Sequence, residues 1–176
     1  MSHPPETAMA VSPPLTSAVA GAVARRAGSC EYLTFRVGAE EYAIDILRVQ
    51  EIRGHGKVTR IAHAPAAVKG VINLRGVIVP VIDLRVCLQA ASDYRDEDTV
   101  TIVLDLGTRV VGTVVDAVSD VLSLDEADIR PAPELGHSAT SAALLGIATL
   151  NEASDARRML AVLDIERLLA DADVGL

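Results

Sequence analysis

What most constrains this chain is its punctuation: from Glu31 onward, short runs rich in Val, Ile and Leu alternate with turn residues, and no long stretch keeps a helical period. Glu31 to Val37 alternates, with Tyr32, Thr34 and Arg36 on one face and Leu33, Phe35 and Val37 on the other. Gly38-Ala39-Glu40 then turns the chain into Tyr42 to Ile46, and a further extended run covers Arg48 to Arg53. Pro65 to Lys69 reads as one helical turn stopped by Gly70. Val71 to Leu74 and Val77 to Leu84, joined across Arg75-Gly76, give the strongest hairpin signal in the chain. Pro80 lacks an N–H for a ladder, which predicts an edge position or a bulge rather than a central strand.

The second half repeats this style. Thr99 to Leu106, Arg109 to Val115 and Ala117 to Leu124 predict a three-stranded meander, turning first at Gly107-Thr108. A Pro-containing loop from Arg130 to Thr140 leads to Leu144 to Leu150, a polar turn at Asn151 to Ala156, and Met159 to Leu163. Asp164 is placed to cap a short helix over Ile165 to Ala170. About ten short strands with a few helical turns predict an all-β chain, mainly β with a few short helices, closed into one or two barrels. Two halves of similar strand count fit a pair of small barrels. Closure removes the edges that such apolar strands would otherwise offer for aggregation.

Composition excludes several classes. A formal charge of −8 opposes condensation onto nucleic acid, and the near absence of aromatic rings removes the usual stacking platforms for single strands. Without the first 29 residues, whose Arg25, Arg26 and Glu6 sum to +1, the remainder carries −9. Cys30 and Cys87 form neither a C-x-x-C pair nor a disulfide framework, so a reducing cytoplasm is expected. No stretch reaches the roughly 18 apolar residues of a membrane span, and no direct membrane insertion is expected. Ala18 to Ala24 looks like the core of a secretory signal, but Arg25 and Arg26 follow that run instead of preceding it. With Pro4, Pro5, Pro13 and Pro14, residues 1–29 are read as a flexible tail, ahead of a folded region at 30–171 and a C-terminal end at 172–176.

A search for chemistry returns little. There is no G-x-S-x-G, no phosphate-binding glycine loop and no H-E-x-x-H. Of His3, His55, His63 and His137, only His55 and His63 are close in sequence, and both read as solvated loop residues ahead of a metal pair. Cys87 reads as a small buried hydrophobe. Asp105, Asp116, Asp120 and Asp164 fit turn and capping roles, while the acidic run Asp93 to Asp98 reads as a solvated loop, with a docking patch for a basic partner as the sharper alternative. No catalytic residue, cofactor or metal is expected.

The stretch from Glu40, E-E-Y-A-I-D-I-L-R-V-Q-E-I, followed after a loop by V-K-G-V-I-N-L-R-G-V-I-V-P-V-I-D-L to Leu84, resembles the CheW proteins of bacterial chemotaxis. The likeness continues through Val110 to Gly112, Val114 to Val121, Ile129 to Pro133 and Met159 to Leu169. It implies two small SH3-like five-stranded β-barrels packed together, with no active site. The implied role is a non-catalytic adaptor coupling methyl-accepting chemoreceptors to the CheA-type histidine kinase. The implied partners are the regulatory domain of the kinase and the cytoplasmic tip of the receptors, with no nucleic acid; the implied location is cytoplasmic, at membrane-associated receptor arrays. With two barrels in 176 residues, a phosphotransfer helix, an ATP-binding domain or a receiver domain is not expected in this sequence.

Val49, Glu51, Gly70, Asn73, Leu74, Arg75 and Gly76 are the expected receptor or kinase contact residues. In the hairpin, Gly70 and Gly76 are read as permitting tight backbone turns. Arg75 is predicted to pair with Glu51 and so hold a receptor-facing loop, the alternative being an unpaired surface arginine.

Overall fold

The structure is a computed structural model, and it describes residues 28–92, 95–134, 136, 138–151 and 156–171. Residues 1–27 of the expected 1–29 tail and the C-terminal end at 172–176 lie outside the described residues, while Ser29 of that expected tail is already part of the first strand. Strand β1, Ser29–Val37, buries Leu33, Phe35 and Val37 as its alternation predicts, and a two-residue turn with Gly38 at φ 63° pairs Val37 with Glu40. Strand β2, Glu40–Asp45, ends where the Asp45 carboxylate accepts from the Leu47 N–H at 2.9 Å and caps a single 3-10 turn.

The chain then leaves this sheet. β3, Val49–Gly54, β4, Val68–Leu74, β5, Val77–Asp83, β6, Val100–Asp105, and β7, Val110–Val115, build a second sheet in the order β3-β6-β7-β5-β4, with the short helix α1, Leu84–Cys87, following β5. β8, Ala117–Asp125, returns to pair with β1. It is followed by β9, Ile129–Arg130, helix α2, Ala139–Ala143, β10, Leu144–Asn151, β11, Arg157–Leu163, and helix α3, Ile165–Asp171. The first sheet runs β8-β1-β2-β11-β10-β9. These are the two SH3-like barrels; one has the five expected strands, and the other adds the two-residue β9.

Three local expectations change. The meander is absent, because β6 and β7 pair but β8 crosses to the other sheet after the single residue Asp116. The barrels therefore do not occupy successive halves; one is nested inside the other. Pro65 to Lys69 is not a helical turn halted by Gly70, since the Val68 N–H closes a tight turn onto the Pro65 carbonyl at 2.9 Å and β4 begins at Val68. Pro80 sits on an interior strand, yet the parallel ladder to β7 begins only at Val81, so that side of β5 is still open at the proline.

Alternation decides the core. Leu33, Phe35, Tyr42 and Ile44 of one sheet and Ile82, Ile102, Leu104 and Val111 of the other join Leu84, Leu168 and Leu169 in one continuous cluster. The opposite faces give two smaller clusters, around Ala43, Leu124 and Leu160 in the first sheet and Leu74, Val79 and Val103 in the second. The shared cluster holds the barrels to each other by burial of apolar area. Asp164 caps α3 as expected, its Oδ1 accepting from the Arg167 N–H at 3.2 Å. Among the described residues no helix is long and apolar enough to cross a membrane.

Candidate docking site

The β4–β5 hairpin closes with Leu74 opposite Val77, leaving Arg75 and Gly76 as a two-residue turn with φ of 51° and 86°. Two successive left-handed residues match the twist of the flanking strands. The Asn73 side chain completes the turn, its Oδ1 accepting from the Gly76 N–H at 2.8 Å. For Arg75 this conformation carries steric strain that glycine would avoid. Its guanidinium donates from Nη2 to Glu51 Oε2 at 2.9 Å, and Arg53 Nε approaches the other carboxylate oxygen at 3.7 Å.

This pair is not a simple surface contact. Glu51 is on β3 and Arg75 at the end of β4, the two opposite edges of the five-stranded order, so the ion pair bridges the edges where the sheet rolls into a barrel. Deeper along the same edge, Thr59 and Val71 exchange backbone hydrogen bonds of 2.9 Å in both directions. Gly70 makes that approach possible. It lies within β4 at φ 146°, and a Cβ there would be 2.7 Å from the Thr59 carbonyl carbon. Its role is close packing of strand on loop, where a tight turn was expected.

Asn73, Arg75 and Gly76 are exposed, Glu51 and Val49 are half-buried, and Gly70 and Leu74 are buried beneath them. On the hairpin itself Val77 and Ile78 are exposed apolar side chains, and Ile52 on β3 and Ile61 after Thr59 are exposed as well. The surface therefore joins a bridged ion pair to an apolar rim, an arrangement suited to protein docking. His55 and His63 are exposed in the segment after β3, and His3 and His137 lie outside the described residues. Cys87 is half-buried, and burial pushes its thiol up to about 11, away from reactivity at neutral pH.

Sequence reasoning missed a charged cluster between the barrels. Asp83 accepts from Arg85 Nε at 2.9 Å and Nη2 at 2.7 Å, and Asp96 accepts from Lys69 Nζ at 2.8 Å and Arg85 Nη2 at 2.9 Å. Asp116 is buried, accepting from the Gly38 N–H at 2.6 Å and from Ser92 Oγ at 2.7 Å, with Arg85 Nη1 at 4.0 Å. The acidic run is thus not merely a solvated loop: Asp96 anchors it, while Asp93 lies outside the described residues. A second cluster ties β11 to β2 and β8, with Arg158 donating to Glu41 at 2.6 Å and 2.8 Å and to Asp120 at 3.1 Å. Those bonds from Arg158 lower the Glu41 carboxyl.

Hydrogen bonds from Lys69 and then Arg85 hold the Asp96 carboxyl at about 2, against an ordinary 3.8. A depressed folded value means that the ionised carboxylate stabilises the fold fully above the unfolded value and that this is lost as pH falls toward about 2. Urea unfolding of wild type and Asp96→Asn is expected to differ by less than about 1 kcal/mol near neutral pH, because the side chain is 54% exposed, and to converge in acid. A difference that stays constant throughout that range would remove Asp96 from the acid response.

Comparison with known proteins adds the family context. A family model described as the CheW-like domain matches residues 31–173. The chain is 55% identical to the chemotaxis protein CheW of Klebsiella aerogenes over 146 residues, covering 83% of this chain and 85% of that one. It is 35% identical to the probable chemotaxis protein CheW of Rhizobium etli, covering 83% and 91%. Among solved structures, the scaffolding protein TtCheW from Thermoanaerobacter tengcongensis aligns with a TM-score of 0.69 at 29% identity, covering 80% of this chain and 87% of that chain.

Proposed function

The chain belongs to the CheW family of chemotaxis scaffold proteins, which are adaptors and not enzymes, and from that membership we propose that it couples methyl-accepting chemoreceptors to a CheA-type histidine kinase. The observation that carries the proposal is the edge-bridging Arg75–Glu51 pair within a surface that offers both charge and exposed apolar side chains. A scaffold works by fixing the geometry between two partners, so rigid docking surfaces matter where an enzyme would need shifted acids and bases. In this reading the cytoplasmic tip of the receptor meets Asn73, Arg75 and Gly76, with Glu51 orienting the arginine and Val49, Gly70 and Leu74 supporting the backbone beneath. The regulatory domain of the kinase binds at the same time, and the protein works in the cytoplasm at membrane-associated receptor arrays. The folded unit is assigned to residues 29–171, one residue longer than the expected 30–171 because Ser29 in β1 already pairs with Asp125.

Purified protein is expected to form one complex containing both the kinase regulatory domain and a receptor tip fragment on size-exclusion chromatography. Arg75→Ala is expected to weaken receptor capture about tenfold while the melting temperature moves by no more than about 4 °C, since an exposed pair contributes at most about 1 kcal/mol to stability. Receptor capture equal to wild type would remove Arg75 from the contact, and a protein that holds only one partner at a time would defeat the coupling role.

A further inference from the structure

Residues 52–82 contain five cations, Arg53, Lys57, Arg60, Lys69 and Arg75, and no Asp or Glu. Subtracting them from the chain's −8 leaves −13 on the rest. The charge is therefore strongly segregated. Lys69 is neutralised by Asp96 and Asp83, and Arg75 and Arg53 share Glu51. Lys57 and Arg60 are exposed, and neither has an ion pair among the described residues. Both flank Thr59, whose backbone is fastened to Val71, so the two cations are held on a pinned loop that continues into exposed Ile61. Pinning lowers the entropy lost when a partner docks.

We infer that the loop from Arg53 to His63 is a docking arm for an acidic segment of the receptor tip, extending the Arg75 surface with Lys57 and Arg60 as its charge contacts. The inference rests on the coupling role proposed above. A protein segment fits better than nucleic acid or an anionic bilayer. Either of those would extend beyond the loop and meet the acidic remainder of the molecule within about a Debye length, roughly 10 Å, where like charges repel.

The test uses the full chain and the double variant Lys57→Glu/Arg60→Glu, with four probes: a receptor tip fragment, the kinase regulatory domain, poly-L-glutamate and phosphatidylglycerol vesicles. Wild-type affinity for the receptor fragment is expected to fall as NaCl rises from about 50 to 300 mM, and the variant to bind about tenfold more weakly at low salt with a flatter dependence. Kinase-domain affinity and melting temperature are expected to stay at wild-type values. Equal receptor affinity and equal salt dependence in the two proteins overturn the inference, as does a loss confined to the kinase domain or to vesicles. If wild type binds poly-L-glutamate through these two residues yet ignores the receptor fragment, the arm's acidic chemistry stands and the receptor reading fails. Binding to neither removes both.

Discussion

Gly70→Ala is expected to lower the melting temperature by roughly 10 °C, in part from a backbone contact that no side chain records. A Cβ at this position meets the Thr59 carbonyl and lies 2.9 Å from Val58 Cγ1, and the residue stands at φ 146°. Conformational strain of about 1–3 kcal/mol adds to an overpacking cost of about 1–3 kcal/mol. At about 2–4 °C per kcal/mol for a chain of this size, the sum gives a shift of that order. Relief by sliding the loop away breaks the paired hydrogen bonds between Thr59 and Val71 and releases the segment that carries Lys57 and Arg60. Gly56→Ala is the internal control, because a Cβ there meets nothing within 4 Å. Circular dichroism melts of the two variants separate the cases: if both melt together near the wild-type temperature, close packing at Gly70 is not a determinant of this fold.

The contrast between those glycines shows what was legible in the sequence and what was not. Arg75-Gly76 between two apolar runs announces its hairpin because turn chemistry is local, and the Arg75–Glu51 partnership was readable as two opposite charges on segments expected to form one surface. Gly70 was misread as turn and helix stop, since its reason lies in Thr59, brought alongside by a loop of no regular structure. The nested topology was hidden for a related reason. β7 and β8 read as consecutive meander strands because only Asp116 separates them, and the partner that draws β8 away, β1, lies at the other end of the chain. α2, Ala139–Ala143, begins at the end of the stretch read as loop and continues through residues 141–143, which no predicted element covered; five residues are too few to show a helical period, and its N-cap is supplied by Ser138 accepting from the Ser141 N–H. Local signals fixed the strands; long-range contacts chose their sheet.

Asp116 is the sharpest instance, and its removal is expected to be comparably damaging. The sequence offers an aspartate between two strands, which fits a turn, but Gly38 is 78 positions away and Ser92 is 24. At the point where the chain passes between sheets, the carboxylate gathers the β1–β2 turn of one barrel, the loop after α1, and Arg85 of the other barrel. Asp116→Ala leaves the Gly38 N–H without its acceptor and takes away two hydrogen bonds to a charged group, each worth about 1.5–3 kcal/mol. The expected loss is about 3–5 kcal/mol, a large fraction of the roughly 5–15 kcal/mol that stabilises a typical domain. Asp116→Asn separates shape from charge. Its amide oxygen still accepts from Gly38 and its NH2 donates to the Ser92 hydroxyl, so both hydrogen bonds persist in a weaker neutral form while the attraction to Arg85 across 4.0 Å is lost, at an expected cost of about 1–3 kcal/mol, below that of Ala. Chemical denaturation of wild type and both variants reads the difference directly. Should Asn cost as much as Ala, the charge facing Arg85 and not the hydrogen bonds would be what joins the barrels at this crossing; should Ala cost less than about 1 kcal/mol, the shared apolar core holds them without help from Asp116.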